Sequence, residues 1–176
     1  NRHKKVKCIM NINNKVCAYI EEATILLLKE KNIKDITIKE IVKRAGVCRA
    51  SFYRNYTGVD DVLNSYIFSL EPLFLFNLEN DLNLTLTHLF QKIYDLKDIF
   101  KIFINQKLYS YISSLFYNVT YESIVQLNVL NNKYQPFFFS GASNSVILAW
   151  MKNDFLETPE EMSKLFIKSL NGYLDI

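Results

Sequence analysis

Glycine and proline are scarce in this 176-residue chain, four and three in all. Turn-rich β architectures and Pro/Gly-dominated disorder both need more of them. Cysteine is limited to Cys8, Cys17 and Cys48, an odd set in the first third with no CxxC pair. That pattern fits free thiols in a reducing compartment and excludes a disulfide framework. The two histidines, His3 and His88, have no ligand-spaced neighbours, so no metal site and no cofactor is expected. No apolar run approaches the ~20 residues of a membrane-spanning helix. The most apolar stretch, 137–151, is interrupted by Ser140, Ser143, Asn144 and Ser145. No signal-peptide pattern is visible, and the numbering, which opens on Asn1, is expected to start inside a gene product. The expectation is a cytoplasmic protein that does not engage a membrane.

What is present favours helices. Apolar residues make up 49% of the chain, enough for a sizeable core in one large domain or two small ones. The net charge of +3 hides an asymmetry. Residues 1–56 hold 13 Lys/Arg against 5 Asp/Glu, whereas 57–176 hold 8 against 13. A basic first third points to a polyanion there, or to a solvated helical surface.

Val16, Ile20, Ala23 and Leu27 form one apolar stripe, which predicts a first helix over about 14–31. Thr37 with Glu40 reads as a capping box opening a second helix that runs to Ala45. Gly46 stands where a helix C-terminus calls for a left-handed residue. A third short helix, about 48–55, buries Phe52 and Tyr56 and shows Arg49, Ala50, Ser51, Tyr53, Arg54 and Asn55. Thr57-Gly-Val-Asp60 signals a fourth, and Pro72 kinks or ends it. Further helices are expected near 85–95, 97–105, 107–128, 135–153 and 158–173. The last is the best marked, with Thr158 at the N-cap, Pro159 at N1 and Glu161 at N3. The expected architecture is all-α, about nine helices: a three-helix helix-turn-helix domain over 1–57, then a helical bundle over 58–176.

A recognition helix must be short, amphipathic and rigidly held, and 48–55 qualifies. Arg49 is placed to reach base edges, where a guanidinium can donate twice to guanine. Ala50 lets the backbone approach the groove. Ser51, Tyr53 and Asn55 can donate to phosphates, and so can Thr37, helped by the α-helix dipole. Arg54 is either a phosphate contact or a solvated charge. Lys4, Lys5 and Lys7 are either a DNA-contacting arm or a disordered basic tail.

The segment from Thr37 to Leu63 resembles the DNA-binding domain of the tetracycline-repressor (TetR/AcrR) family of regulators. Phe52-Tyr-Arg-Asn-Tyr56 is similar to the family's Phe-Tyr-Arg/Tyr-His-Phe signature, and the spacing from Thr37 through Ala45-Gly-Val47 to Tyr53 fits without gaps. The resemblance covers 10–70 well and 134–173 loosely, through FFFSGASNSVILAWMKNDFLETPEEM; the middle matches nothing in particular. Three departures stand out. Cys48 occupies a usual Ser/Thr position, which weakens a cap and a phosphate bond. Asn55 replaces the common His, and Val59 replaces a frequent Lys. The family's DNA-contacting roles transfer to Thr37, Arg49, Ser51, Tyr53 and Asn55, and not to Cys48 or Val59.

The resemblance implies a sequence-specific, homodimeric regulator, a repressor released from a palindromic operator by a small-molecule effector. Its last two helices would pair with their twins, which places Gly141, Ser145, Trp150, Leu165, Phe166 and Ser169 at a dimer interface. The alternative is an intrachain seam. Half-sites would then lie about one helical turn, ~34–36 Å, apart. The family usually keeps a pocket in the helical bundle; Phe90, Tyr94, Phe103, Tyr117 and Tyr121 are the candidates, against a reading as ordinary core. Two competing functions remain: a regulator or activator whose C-terminal domain binds a partner protein, and a helical enzyme. No nucleophile elbow, phosphate loop or metal-spaced cluster supports the last.

Overall fold

A computed structural model describes residues 2–76, 81–127 and 132–170, with side chains over 15–76, 81–127 and 132–169. The side chains of Lys4, Lys5 and Lys7, and Tyr173 altogether, lie outside the described residues. The described chain is all-helical: α1 (Arg2–Glu30), a 3-10 turn (Ile33–Asp35), α2 (Ile38–Ala45), α3 (Arg49–Asn55), α4 (Val59–Ser69), α5 (Glu71–Phe74), α6 (Leu82–Asp95), α7 (Lys97–Asn105), α8 (Tyr109–Leu127), α9 (Gln135–Lys152) and α10 (Pro159–Leu170). It divides into two compact units, Asn1–Phe68 and Ser69–Ile176.

In the first unit, α1 packs against α2 and α3, and α2 against α3. Ile20, Ala23, Leu27 and Leu28 from α1 are buried, together with Ile41, Phe52, Tyr56, Val62, Leu63 and Ile67. α1 begins about four turns before the first residue of its apolar stripe.

The turn between α2 and α3 has the geometry expected of its residues. Thr37 accepts from the Glu40 amide, and the Glu40 carboxylate accepts from the Thr37 amide, closing the capping box. Gly46 sits in the left-handed region (φ 65°, ψ 28°), and Val47 N–H donates to the Val42 carbonyl at 3.1 Å. A Cβ on Gly46 would meet no atom within 4 Å. The cost of Gly46→Ala is therefore purely conformational: ~1–2 kcal/mol for a left-handed L-residue, partly offset by a stiffer unfolded chain. Urea titration should show a net loss of about 1 kcal/mol. An unchanged midpoint would mean that the turn relaxes away from positive φ.

α4 starts one residue later than its capping signal suggested. Val59 is the first helical residue, so Asp61, not Asp60, reaches back to the Thr57 amide (2.8 Å) and hydroxyl (3.1 Å). Pro72 ends α4 and occupies the first turn of α5, where its missing N–H is harmless.

In the second unit, α8 lies along α9, α6 along α10, and α7 touches α8 and α9. Aromatic side chains fill it in groups. Phe74, Phe100 and Phe116 are mutually within 6.0 Å between ring centroids. Trp150 is buried with Phe90 edge-on at 5.5 Å and Tyr94 stacked at 6.2 Å. The link from α9 to α10 holds Asp154 and Phe155 at φ 60° and 57°, left-handed for two residues that are not glycine. Such a pair costs roughly 1–2 kcal/mol per residue. It is held by the packing of the buried Phe155 ring on Trp150 at 5.0 Å and by the ion pair from Lys101 to Asp154 at 2.7 Å. Thr158 and Glu161 then repeat the reciprocal cap of α2, with the Glu161 carboxylate accepting from the Thr158 amide at 2.8 Å.

Candidate nucleic-acid interface

α3 is pinned from below and open above. Its inner face consists of Phe52, fully buried, and Tyr56, the C-cap residue, whose rings lie 5.9 Å apart. The outer face carries Arg49, Ala50, Tyr53 and Arg54, all exposed. Tyr53 is half exposed, and its ring meets Phe52 edge-on at 5.5 Å, so the outer face is braced against the core. Arg49 lies over Tyr53, with Cζ 5.6 Å from the ring centroid and Nη2 donating to the hydroxyl at 3.3 Å. The guanidinium keeps its other donors for a partner.

The remaining polar residues are more committed. Asn55 donates its amide to the Ser51 carbonyl at 2.8 Å, one turn back. The Ser51 hydroxyl faces Cys48 Sγ at 3.1 Å. Cys48 is the N-cap residue of α3 but makes no cap hydrogen bond through its sulfur. Its thiol titrates below the usual range, first because of the Ser51 hydroxyl, then through the Ser51 and Ala50 amides and the Arg54 charge. The Thr37 hydroxyl donates to Glu40 at 2.7 Å, so a phosphate arriving there would have to displace that bond. Val59 offers no donor.

Glu40 is held at about 2 by hydrogen bonds from Lys31 and then Thr37. Arg44 forms a two-pronged pair with Glu30 at 2.7 and 2.8 Å, tying α2 to α1. Lys34, Lys39, Lys43, Arg49 and Arg54 are all exposed on this unit. Their positive charge, with no acidic side chain on α3, suits a polyanion.

Among the described residues, the ring contacts of those expected at a pocket fall into three places. Phe90 and Tyr94 surround Trp150, Phe103 meets Tyr111 at 6.1 Å, and Tyr117 stacks on Tyr121 at 6.3 Å. Phe90 and Phe103 are fully buried. Of the residues expected at a dimer interface, Trp150 and Phe166 are buried within their own unit, Leu165, Ser145 and Ser169 are exposed, and Gly141 is half-buried. Trp150, Leu165, Phe166 and Ser169 line an open groove of about 220 Å³ between α9 and α10, which also takes in Met162 and Val146. Ser145 and Gly141 lie further along α9. Met162 and Val146 were not among the residues expected at the interface, since an apolar residue on a helix does not show whether it faces a core or a groove.

Among the described residues no group of three or more His, Cys, Asp or Glu could hold a metal ion. No helix among them is long and apolar enough to cross a membrane.

Residues 80–172 match the family model described as a transcriptional regulator C-terminal region, of the TetR type. Two solved structures share the fold. Lin0861 from Listeria innocua superposes with a TM-score of 0.64 at 17% identity, over 92% of both chains. The fatty acid degradation regulator FadR from Bacillus halodurans superposes with a TM-score of 0.57 at 18% identity, over 84% of this chain and 90% of that one. No curated protein sequence matches.

Proposed function

From the premise that this chain belongs to the TetR-type transcriptional regulators, we propose that it is a homodimeric repressor that binds a palindromic DNA operator in the cytoplasm and leaves it when a small effector binds. The observation that carries this reading is the Arg49–Tyr53 pair, presented on the outer face of a helix whose inner face is locked by Phe52 and Tyr56. The reader is residues 1–57, with Arg49 on base edges and Ser51, Tyr53, Arg54, Asn55 and Thr37 on phosphates while Ala50 permits close approach. Residues 58–176 sense and dimerise. The α9–α10 groove, with the exposed Leu165 at its rim, receives the second copy. Two readers on one twofold axis would match two half-sites. An effector acts only through its different affinity for the bound and released states, and a ~100-fold release needs about 2.7 kcal/mol of coupling.

One observation favours a second reading, in which the second unit binds a partner protein. Tyr134, Phe137 and Phe138, at the start of α9, are all more than half exposed, and exposed aromatic clusters of this kind suit a protein partner.

The test is selection of duplexes from a randomised pool, followed by fluorescence anisotropy over a salt series. The expected result is a palindromic sequence and an affinity that falls with slope about −0.9 per phosphate neutralised, in log–log form. An absence of enrichment with a flat salt response would overturn the reading.

A further inference from the structure

We propose that Glu21 is a positioning residue for the recognition helix, clamping the end of α3 to α4 through one carboxylate oxygen. Glu21 lies on α1, half-buried. Its Oε1 accepts from the Tyr56 hydroxyl at 2.8 Å and from the Ser65 hydroxyl at 2.7 Å. Those donors are 35 and 44 residues away in sequence and lie on different elements. Both lone pairs of that oxygen are thus used by short, charge-assisted bonds, which are stronger and more directional than neutral ones.

The clamp has a path to the reading face. Tyr56 caps α3 and is buried, with its ring on Phe52. Phe52 carries Tyr53 on its edge, and Tyr53 holds Arg49. A shift of the Tyr56 hydroxyl is therefore passed through close-packed rings to the guanidinium, because such rings have no slack to absorb it. On the other side, Ser65 sits in the middle of α4, which carries the chain out of the first unit at Phe68. Displacing α4 must break or drag the Ser65 bond. Burial, and then Glu21 and Cys17, push the Tyr56 phenol far above its usual range against a lowering by Ser65, so it remains a donor. Burial, and then the neighbouring Glu21, also raise the Tyr66 phenol on α4.

The position filled by Tyr56 needs only an aromatic ring for packing. The hydroxyl adds a polar link that packing alone does not require, which is why the clamp is read as positioning rather than as core. The inference rests on the reading of α3 as the DNA reader, so its test needs an arm without DNA.

Amide hydrogen exchange of residues 49–55 supplies that arm. Ser65→Ala, on α4, should speed exchange in α3 on the order of tenfold. In a Tyr56→Phe background the same substitution should have no further effect, because the link to α3 is already cut. A role of Ser65 confined to α4 would give the same effect in both backgrounds and would overturn the clamp. In the DNA arm, Glu21→Leu should weaken binding to the selected duplex on the order of tenfold more than to mixed-sequence DNA. Glu21→Gln, which keeps an acceptor oxygen, should recover most of that loss. If Glu21→Leu fails to fold, Tyr56→Phe replaces it in the DNA arm. Exchange coupling without selective DNA binding by the parent protein would overturn the DNA reading and, with it, the clamp's role in affinity. Selective binding without exchange coupling would overturn the clamp alone.

Discussion

Arg49→Ala should erase the preference for the selected duplex over mixed-sequence DNA. A bidentate Arg–guanine pair is worth roughly 1–3 kcal/mol against the wrong base. Two protomers on a palindrome would lose about twice that, on the order of 10³-fold at the midpoint of the range. Binding to mixed-sequence DNA should fall only slightly, and the salt slope by about one unit at most per lost contact. Tyr53→Phe provides the contrast. On the proposed reading it removes a phosphate donor, so all sequences should be bound more weakly. It also removes the hydroxyl that accepts from Arg49 Nη2 at 3.3 Å, so some discrimination should go with it. Anisotropy titrations of both variants on both duplexes separate these effects. If Arg49→Ala retains the parent's sequence preference, Arg49 does not read bases.

Much of the first unit, and the start of α10 in the second, was legible because the signals are local. The Thr37–Glu40 cap, the left-handed Gly46 and the Thr158–Glu161 cap each depend on residues three or fewer positions apart and on backbone geometry that few side chains tolerate. A weakened cap at Cys48 was legible for the same reason, a thiol being a poor acceptor beside a hydroxyl, and the sulfur makes no cap hydrogen bond. Glu21 was not legible. It flanks an apolar stripe and looks like a solvated charge until the fold brings Tyr56 and Ser65 to it. The aromatic clusters of the second unit failed to resolve from sequence for a related reason. Helical spacing tells which face a ring is on, but not that Trp150 gathers Phe90, Tyr94 and Phe155 around it. The turn that makes this possible, Asp154–Phe155 at positive φ, carries residues that give no warning of such a conformation.

Phe52→Ala should unfold the reader and spare the second unit. The ring is fully buried and flanked by Tyr53 and Tyr56, and its removal leaves a cavity that two large neighbours cannot refill without tilting. Phe→Ala changes of this kind cost roughly 3–5 kcal/mol. Small domains have only ~5–15 kcal/mol in total, and a unit of this size sits toward the low end. Trp150 makes the outcome readable. It is the single tryptophan, it is buried, and it lies in the second unit. Thermal unfolding followed by far-ultraviolet circular dichroism should lose part of its helical amplitude at low temperature, while the Trp150 fluorescence transition stays near that of the parent. DNA binding should disappear together with the lost amplitude. A Trp150 transition that drops by the same amount would mean that the two units unfold as one. No change in either signal would mean that Phe52 does not anchor α3, and the pinned-helix basis for the Arg49–Tyr53 pair would fall with it.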